Sequence, residues 1–165
     1  MNAMKKLIIL MIALFGFQFS NAQGFGVSIS AGYLSEIDNA GYSADILYHF
    51  DEKWGLATNV TIALNEIKED KLTWFAADLN AHYKVFDELY LLAGGEYLSS
   101  TYTDRSSIGG FVFGETKFKE TDFGINLGGG YKYVLVDNVS LFTEMKYVVI
   151  ETGYFHARLG VQFDF

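Results

Sequence analysis

Eight stretches of this chain alternate apolar and non-apolar residues with a period of two, which commits it to β-strands with two chemically different faces. The last stretch is the clearest. In FHARLGVQFDF, Phe155, Ala157, Leu159, Val161, Phe163 and Phe165 alternate with His156, Arg158, Gly160, Gln162 and Asp164 up to the final residue. Final residues commonly fray, so strand register kept to a terminal aromatic needs a reason. The other stretches place Phe25 to Tyr33, Tyr42 to Phe50, Trp54 to Leu64, Thr73 to Val85, Leu89 to Tyr97, Phe123 to Tyr133 and Leu141 to Val149 on one face by alternate residues. The chain has no proline, so no backbone N–H is lost from a ladder. It has no cysteine, so neither a disulfide nor a thiolate metal site can form.

The connections differ in kind. FDEKW, VFDEL and LVDNV are tight acidic turns at Asp51, Asp87 and Asp137, a loose repeat of strand, turn, strand. Longer polar segments fall near residues 35–40, 66–71, 102–120 and 150–153. Short turns at one end and longer loops at the other are the plan of a membrane-spanning barrel.

Alternation alone does not say which face is inside. A soluble lipid-binding barrel turns its apolar face inward, and a membrane barrel turns it out to lipid. Three features favour the membrane. The apolar face carries no Asp, Glu, Lys or Arg in any stretch. The opposite face is largely Gly, Ser, Ala and Asn with scattered charges, which suits a narrow lumen. Aromatics such as Phe50, Trp54, Phe86, Tyr133, Phe163 and Phe165 cluster at strand ends, as interfacial girdles do. The expected fold is therefore all-β, an antiparallel up-and-down eight-stranded transmembrane β-barrel. Arg158 must then point inward, because at the lipid midplane it would cost about 2–4 kcal/mol.

Lys5 and Lys6 precede an apolar run from Leu7 to Phe19, and Ser20, Asn21 and Ala22 precede a cut before Gln23. This is the pattern of a secretory signal peptide. The expected organisation is a leader over 1–22 and a barrel domain over 23–165. No run of 18 or more apolar residues suggests a spanning helix. The net charge of −8 argues against nucleic acid as a partner.

With its leader, eight alternating strands, Asp turns and terminal Phe, the chain resembles the small outer-membrane barrels of the OmpA/OmpX type. The resemblance covers essentially the whole mature chain and implies a bacterial outer-membrane location. It also implies that Leu159, Val161, Phe163 and Phe165 form the signal read by the barrel-assembly machinery. The expected surroundings are outer-membrane lipid and lipopolysaccharide, with the protein a monomer. A second, wall-binding domain of the OmpA kind has no residues here to carry it.

Inside the expected barrel, hairpin geometry brings Glu144 and Lys146 beside Arg158, and Asp78 opposite Glu96. Facing carboxylates repel unless a cation or a shared proton intervenes, so Lys146 or Arg158 is expected to reach Glu96. Such a network would plug the lumen and fix register; the alternative is a narrow channel gated by the same charges. A lipid-modifying enzyme fits less well, because His49, His82 and His156 all fall on the inner face, and no catalytic residue is assigned. GINLGGGYKY lacks the helix and the Lys-Ser/Thr pair of a phosphate loop, so its glycines are read as making room for lumen side chains. The outer acids Glu36, Asp38, Glu66, Glu69 and Asp70 lack calcium-loop spacing; no metal or other cofactor is expected. In TDRSSIGGFVFGETKFKE, Ile108, Phe111 and Phe113 flank Gly109 and Gly110, a possible contact tip or simply the ends of two long strands.

Overall fold

The computed structural model describes residues 24–67, 70–108 and 111–165, with the side chains of 66–67, 70, 104–108 and 111–115 outside that description. The expected leader, 1–22, also lies outside the described residues. Eight strands follow in chain order: β1 (Gly24–Leu34), β2 (Asn39–His49), β3 (Trp54–Ile67), β4 (Asp70–Lys84), β5 (Leu89–Ile108), β6 (Phe111–Val136), β7 (Val139–Val149) and β8 (Tyr154–Asp164). Each pairs antiparallel with its neighbours, and β8 returns to β1, so the sheet closes into an up-and-down barrel with no edge around its waist. The seam continues past β8, where the Phe165 N–H donates to the Phe25 carbonyl at 2.7 Å.

β1, β2, β7 and β8 each hold 11 residues, the length that crosses a bilayer when tilted. The alternating apolar residues face outward: Ile29, Tyr42, Leu79, Phe123, Met145 and Leu159 are all exposed. Aromatics gather at both ends of this band. Trp54 packs on Tyr83 and Phe25 on Phe165 at one end; Tyr97 packs on Phe123 and Tyr147 on Phe155 at the other. An apolar outer band between two aromatic belts, around a polar interior, is a transmembrane barrel.

The long connections differ from the sequence expectation. Much of 66–71 and 102–120 is strand, not loop: β5 has 20 residues and β6 has 26. β6 pairs with β7 only from Ile125 onward, yet stays paired with β5 as far as Ile108↔Phe111. Beyond the barrel wall these strands form a two-stranded ribbon, and Thr116 to Thr121 are exposed without interruption. A ribbon wetted on both faces keeps its ladder but loses its period-two apolar signature, so alternation could not reveal it.

Candidate functional site

The inward residues make three layers along the barrel axis. The middle layer is charged. Asp78 on β4 stands opposite Glu96 on β5. Lys146 reaches both from β7, with Nζ 2.5 Å from Asp78 Oδ2 and 2.8 Å from Glu96 Oε2. Asn126 Nδ2 donates to Asp78 Oδ1 at 3.0 Å, and the Tyr154 hydroxyl donates to Glu96. A second centre surrounds Arg158 on β8. Its Nη1 lies 2.7 Å from Asp45 Oδ1, and its Nη2 lies 2.7 Å from Glu144 Oε1. Asp45 also accepts from the Ser28 hydroxyl and, at 2.6 Å, from Asn59 Nδ2; Glu144 accepts from the Tyr90 hydroxyl at 2.7 Å. Burying ions is costly unless every lone pair is met, and here each carboxylate receives at least two donors.

Together the two centres use a side chain from every strand: Ser28, Asp45, Asn59, Asp78, Glu96, Asn126, Lys146 and Arg158. Gly128 and Gly130 on β6 leave the space this needs. A Cβ on Gly130 would strike the Tyr90 phenol, and one on Gly128 would stand 2.6 Å from Lys146 Cα.

The second layer, toward the β1–β2 and β7–β8 connections (the loop end), is apolar. Leu34, Trp74, Leu98, Val148 and Tyr154 are buried together inside the lumen. The Trp74 and Tyr154 rings meet edge to face, their centroids 5.4 Å apart. These residues sit on the inner face by strict alternation, and the sequence reading of that face as small and polar missed them. The third layer, at the turn end, is a cavity of 480 Å³ whose walls include His49, His82, Lys84, Lys132 and Gln162. There Lys132 pairs with Asp164 at 2.7 Å, both side chains about a quarter exposed. In the bordering turn, Asp51 Oδ1 accepts from the N–H groups of Lys53 and Trp54 at 2.7 and 2.8 Å. These two bonds hold its carboxyl below the usual carboxylate range.

The five residues expected to form one lumen network are all buried, but in two centres: Asp78, Glu96 and Lys146 in one, Glu144 and Arg158 in the other. Lys146, expected beside Arg158, stands opposite His156 and turns to β4 and β5. Asp45 is the Arg158 partner that hairpin reasoning missed, because β2 and β8 are not neighbours. Tyr90 and Tyr154 were also missed; their inward register was the available signal. Leu159, Phe163 and Phe165 are exposed on the outer face, and Val161 beside them is half-buried. Ile108 stands opposite Phe111 at the end of the ribbon backbone. The contact-tip reading turns on the side chains of Ile108, Phe111 and Phe113, which lie outside the described residues. Among the described residues no three His, Asp or Glu side chains converge as a metal cage.

No protein-family model and no curated protein matches the sequence. Solved structures do match. The N-terminal barrel domain of Pseudomonas aeruginosa OprF aligns at 17% identity and a TM-score of 0.66, over 87% of this chain and 98% of that one. A major outer-membrane protein of Thermus thermophilus aligns at 14% identity and a TM-score of 0.71, over 86% and 98%. Ail, the attachment invasion locus protein of Yersinia pestis, crystallised with the heparin analogue sucrose octasulfate, aligns at 14% and 0.61, over 86% and 98%. At these identities what is shared is the architecture: the chain has the fold of the small eight-stranded outer-membrane β-barrels.

Proposed function

We infer that this chain is an integral protein of the bacterial outer membrane with a structural and surface-contact role rather than a catalytic one. Its barrel is the anchor, its lumen is plugged, and the β5–β6 ribbon presents surface to partners outside the cell. The observation that carries this reading is the pair of ion centres that takes a side chain from every strand. A network of that reach fixes register all round the barrel and fills the lumen where a pore would have to run. The apolar layer above it adds a second obstruction that no hydrated ion crosses cheaply. The histidines face inward, away from the lipid surface where a lipid-modifying site would need to open. On this reading lipid and lipopolysaccharide surround the exposed apolar band of a monomer. Leu159, Val161, Phe163 and Phe165 serve the assembly machinery on their way to the same band.

The test is conductance of the folded protein in a planar bilayer. The expected result is a silent bilayer, with discrete steps appearing only when the plug is broken, as in Lys146→Ala combined with Trp74→Ala. Discrete steps from the unaltered protein, changed by Glu96→Gln, overturn the plug and make the network a gate.

A further inference from the structure

The two ion centres have the same formal make-up, two carboxylates around one base, but they are built differently. Arg158 presents separate nitrogens, Nη1 to Asp45 and Nε with Nη2 to Glu144, so each acid has its own side of the planar fork. Lys146 offers a single nitrogen to both of its acids, 2.5 Å from Asp78 Oδ2 and 2.8 Å from Glu96 Oε2. That draws the two carboxyl groups onto one atom, and they also hydrogen-bond to each other. An ionised carboxylate only accepts hydrogen bonds, so a bond between two carboxyl groups needs a proton on one of them.

The surroundings do not make up the charge by other means. In the middle layer four buried carboxylates, Asp45, Asp78, Glu96 and Glu144, face two bases, Lys146 and Arg158. Asn126 on β6 donates to Asp78 and Tyr154 on β8 donates to Glu96, both as neutral groups. Asn59 on β3 stands opposite Asp78 but is turned to Asp45. On the loop side, Asp122 is the next inward position on β6, and Glu36 acts on Tyr154 from the β1–β2 connection; both only add acid. His156 stands opposite Lys146, and His82 lies toward the turn end. The buried Nε2 of each has no hydrogen-bond partner. A charged imidazole donates from both nitrogens, so neither ring is placed to serve as the missing cation. Uncompensated charge in a closed lumen is costly, and taking up a proton removes it.

We propose that Asp78 and Glu96 hold one proton between them, with Lys146 balancing the single charge that is left, and that this proton is a pH-sensitive latch on the plug. The latch rests on the plugged-lumen reading, whereas the proton rests on the contacts alone. In the unfolded chain the two carboxyls are apart and both ionised at neutral pH, so the folded barrel binds one more proton. Raising the pH therefore works against the fold, by at most about tenfold in the folding constant per pH unit. Glu96→Gln imitates the loaded pair. Its amide can donate to Asp78 in place of the proton, and its carbonyl can still accept from Lys146 and Tyr154.

The test is the infrared spectrum of the folded protein at neutral pH, in alkyl glycoside micelles that carry no carbonyl of their own. A protonated carboxyl absorbs apart from ionised ones, and one such band is expected. Glu96→Gln and Asp78→Asn should each remove it, since either amide replaces the shared proton. Absence of the band from the unaltered protein overturns the proposal. So does a band that survives Asp78→Asn, which would place the proton on Glu96 alone. The latch is read from the urea unfolding midpoint in lipid vesicles. As pH is raised from neutral, the midpoint should fall more steeply for the unaltered protein than for Glu96→Gln, and equal slopes overturn the latch. Neither readout uses a bilayer current, so a conducting barrel would refute the plug and leave the proton standing. Retained strand signal in circular dichroism checks that both amide variants fold.

Discussion

At the loop end, Leu34, Trp74, Leu98, Val148 and Tyr154 pack together inside the lumen, and the connections above them hold one another across long stretches of chain. The Phe155 N–H donates to Ser35 Oγ at 2.9 Å, Thr152 Oγ1 donates to Glu36 at 3.1 Å, and Asn65 Nδ2 donates to the Ile37 carbonyl at 3.2 Å. At the turn end the lumen opens into a cavity, and the turns combine local bonds, as when Asp51 accepts from residues two and three ahead of it, with backbone bonds to the next strand, as from the Lys84 N–H to the Lys53 carbonyl at 2.7 Å. One end is filled with apolar side chains, and the other is open and held by hydrogen bonds and a partly exposed ion pair. The difference teaches that the barrel's buried contacts are concentrated in its middle and loop-end layers.

The largest expected effect lies in the middle layer that both ends share. Lys146→Met removes the base between Asp78 and Glu96 and leaves two facing buried carboxylates. The loss should be about 3–5 kcal/mol, read as the shift in urea unfolding midpoint in lipid vesicles. Adding Glu96→Gln should recover part of it, because the repulsion is then gone. A Lys146→Met barrel that unfolds like the unaltered one would mean the two carboxylates do not depend on that base.

How much of this layer could be read from sequence follows from what a period of two encodes. It fixes which face a residue takes, and hairpin turns fix which residues stand opposite on adjacent strands. That made the barrel, the inward Arg158, the Asp78–Glu96 pair and the Glu144–Arg158 neighbours legible. It does not encode contacts across the lumen, which depend on strand tilt and stagger. Asp45 reaching Arg158, and Lys146 turning to β4 and β5, are such contacts. The apolar layer was hidden for another reason. Leu34, Trp74, Leu98, Val148 and Tyr154 lie on five different strands, so each is a lone exception to a polar face, and only closure of the barrel gathers them.

The next contrast sets the loop end against the turn end directly. Leu98→Ala hollows the apolar layer and should cost about 2–4 kcal/mol, including the cavity left behind. Lys132→Gln, at the turn end, breaks an ion pair whose members are about a quarter exposed, and should cost at most about 1 kcal/mol. The same unfolding assay ranks them. If Lys132→Gln proves as damaging as Leu98→Ala, the turn end is not the loosely held half, and the asymmetry argued from packing is wrong.

The smallest effect belongs to the turn itself and is visible only locally. The Lys53 and Trp54 N–H bonds lower the Asp51 carboxyl below its unfolded value. A depressed carboxyl stabilises fully above the unfolded pKa, and that contribution is lost as pH falls through the folded one. Asp51→Ala should therefore raise amide hydrogen exchange at Lys53 and Trp54 at neutral pH, relative to rates expected for unprotected amides. Acidification through the depressed pKa should produce the same loosening in the unaltered protein. Exchange at Ser35, whose N–H donates to the Phe155 carbonyl at the opposite end, should not respond to Asp51→Ala. That separation follows from local closure: a turn satisfied within three residues can loosen without passing the change along the strands. A matching rise at Ser35 would show the two ends to be coupled through the barrel wall.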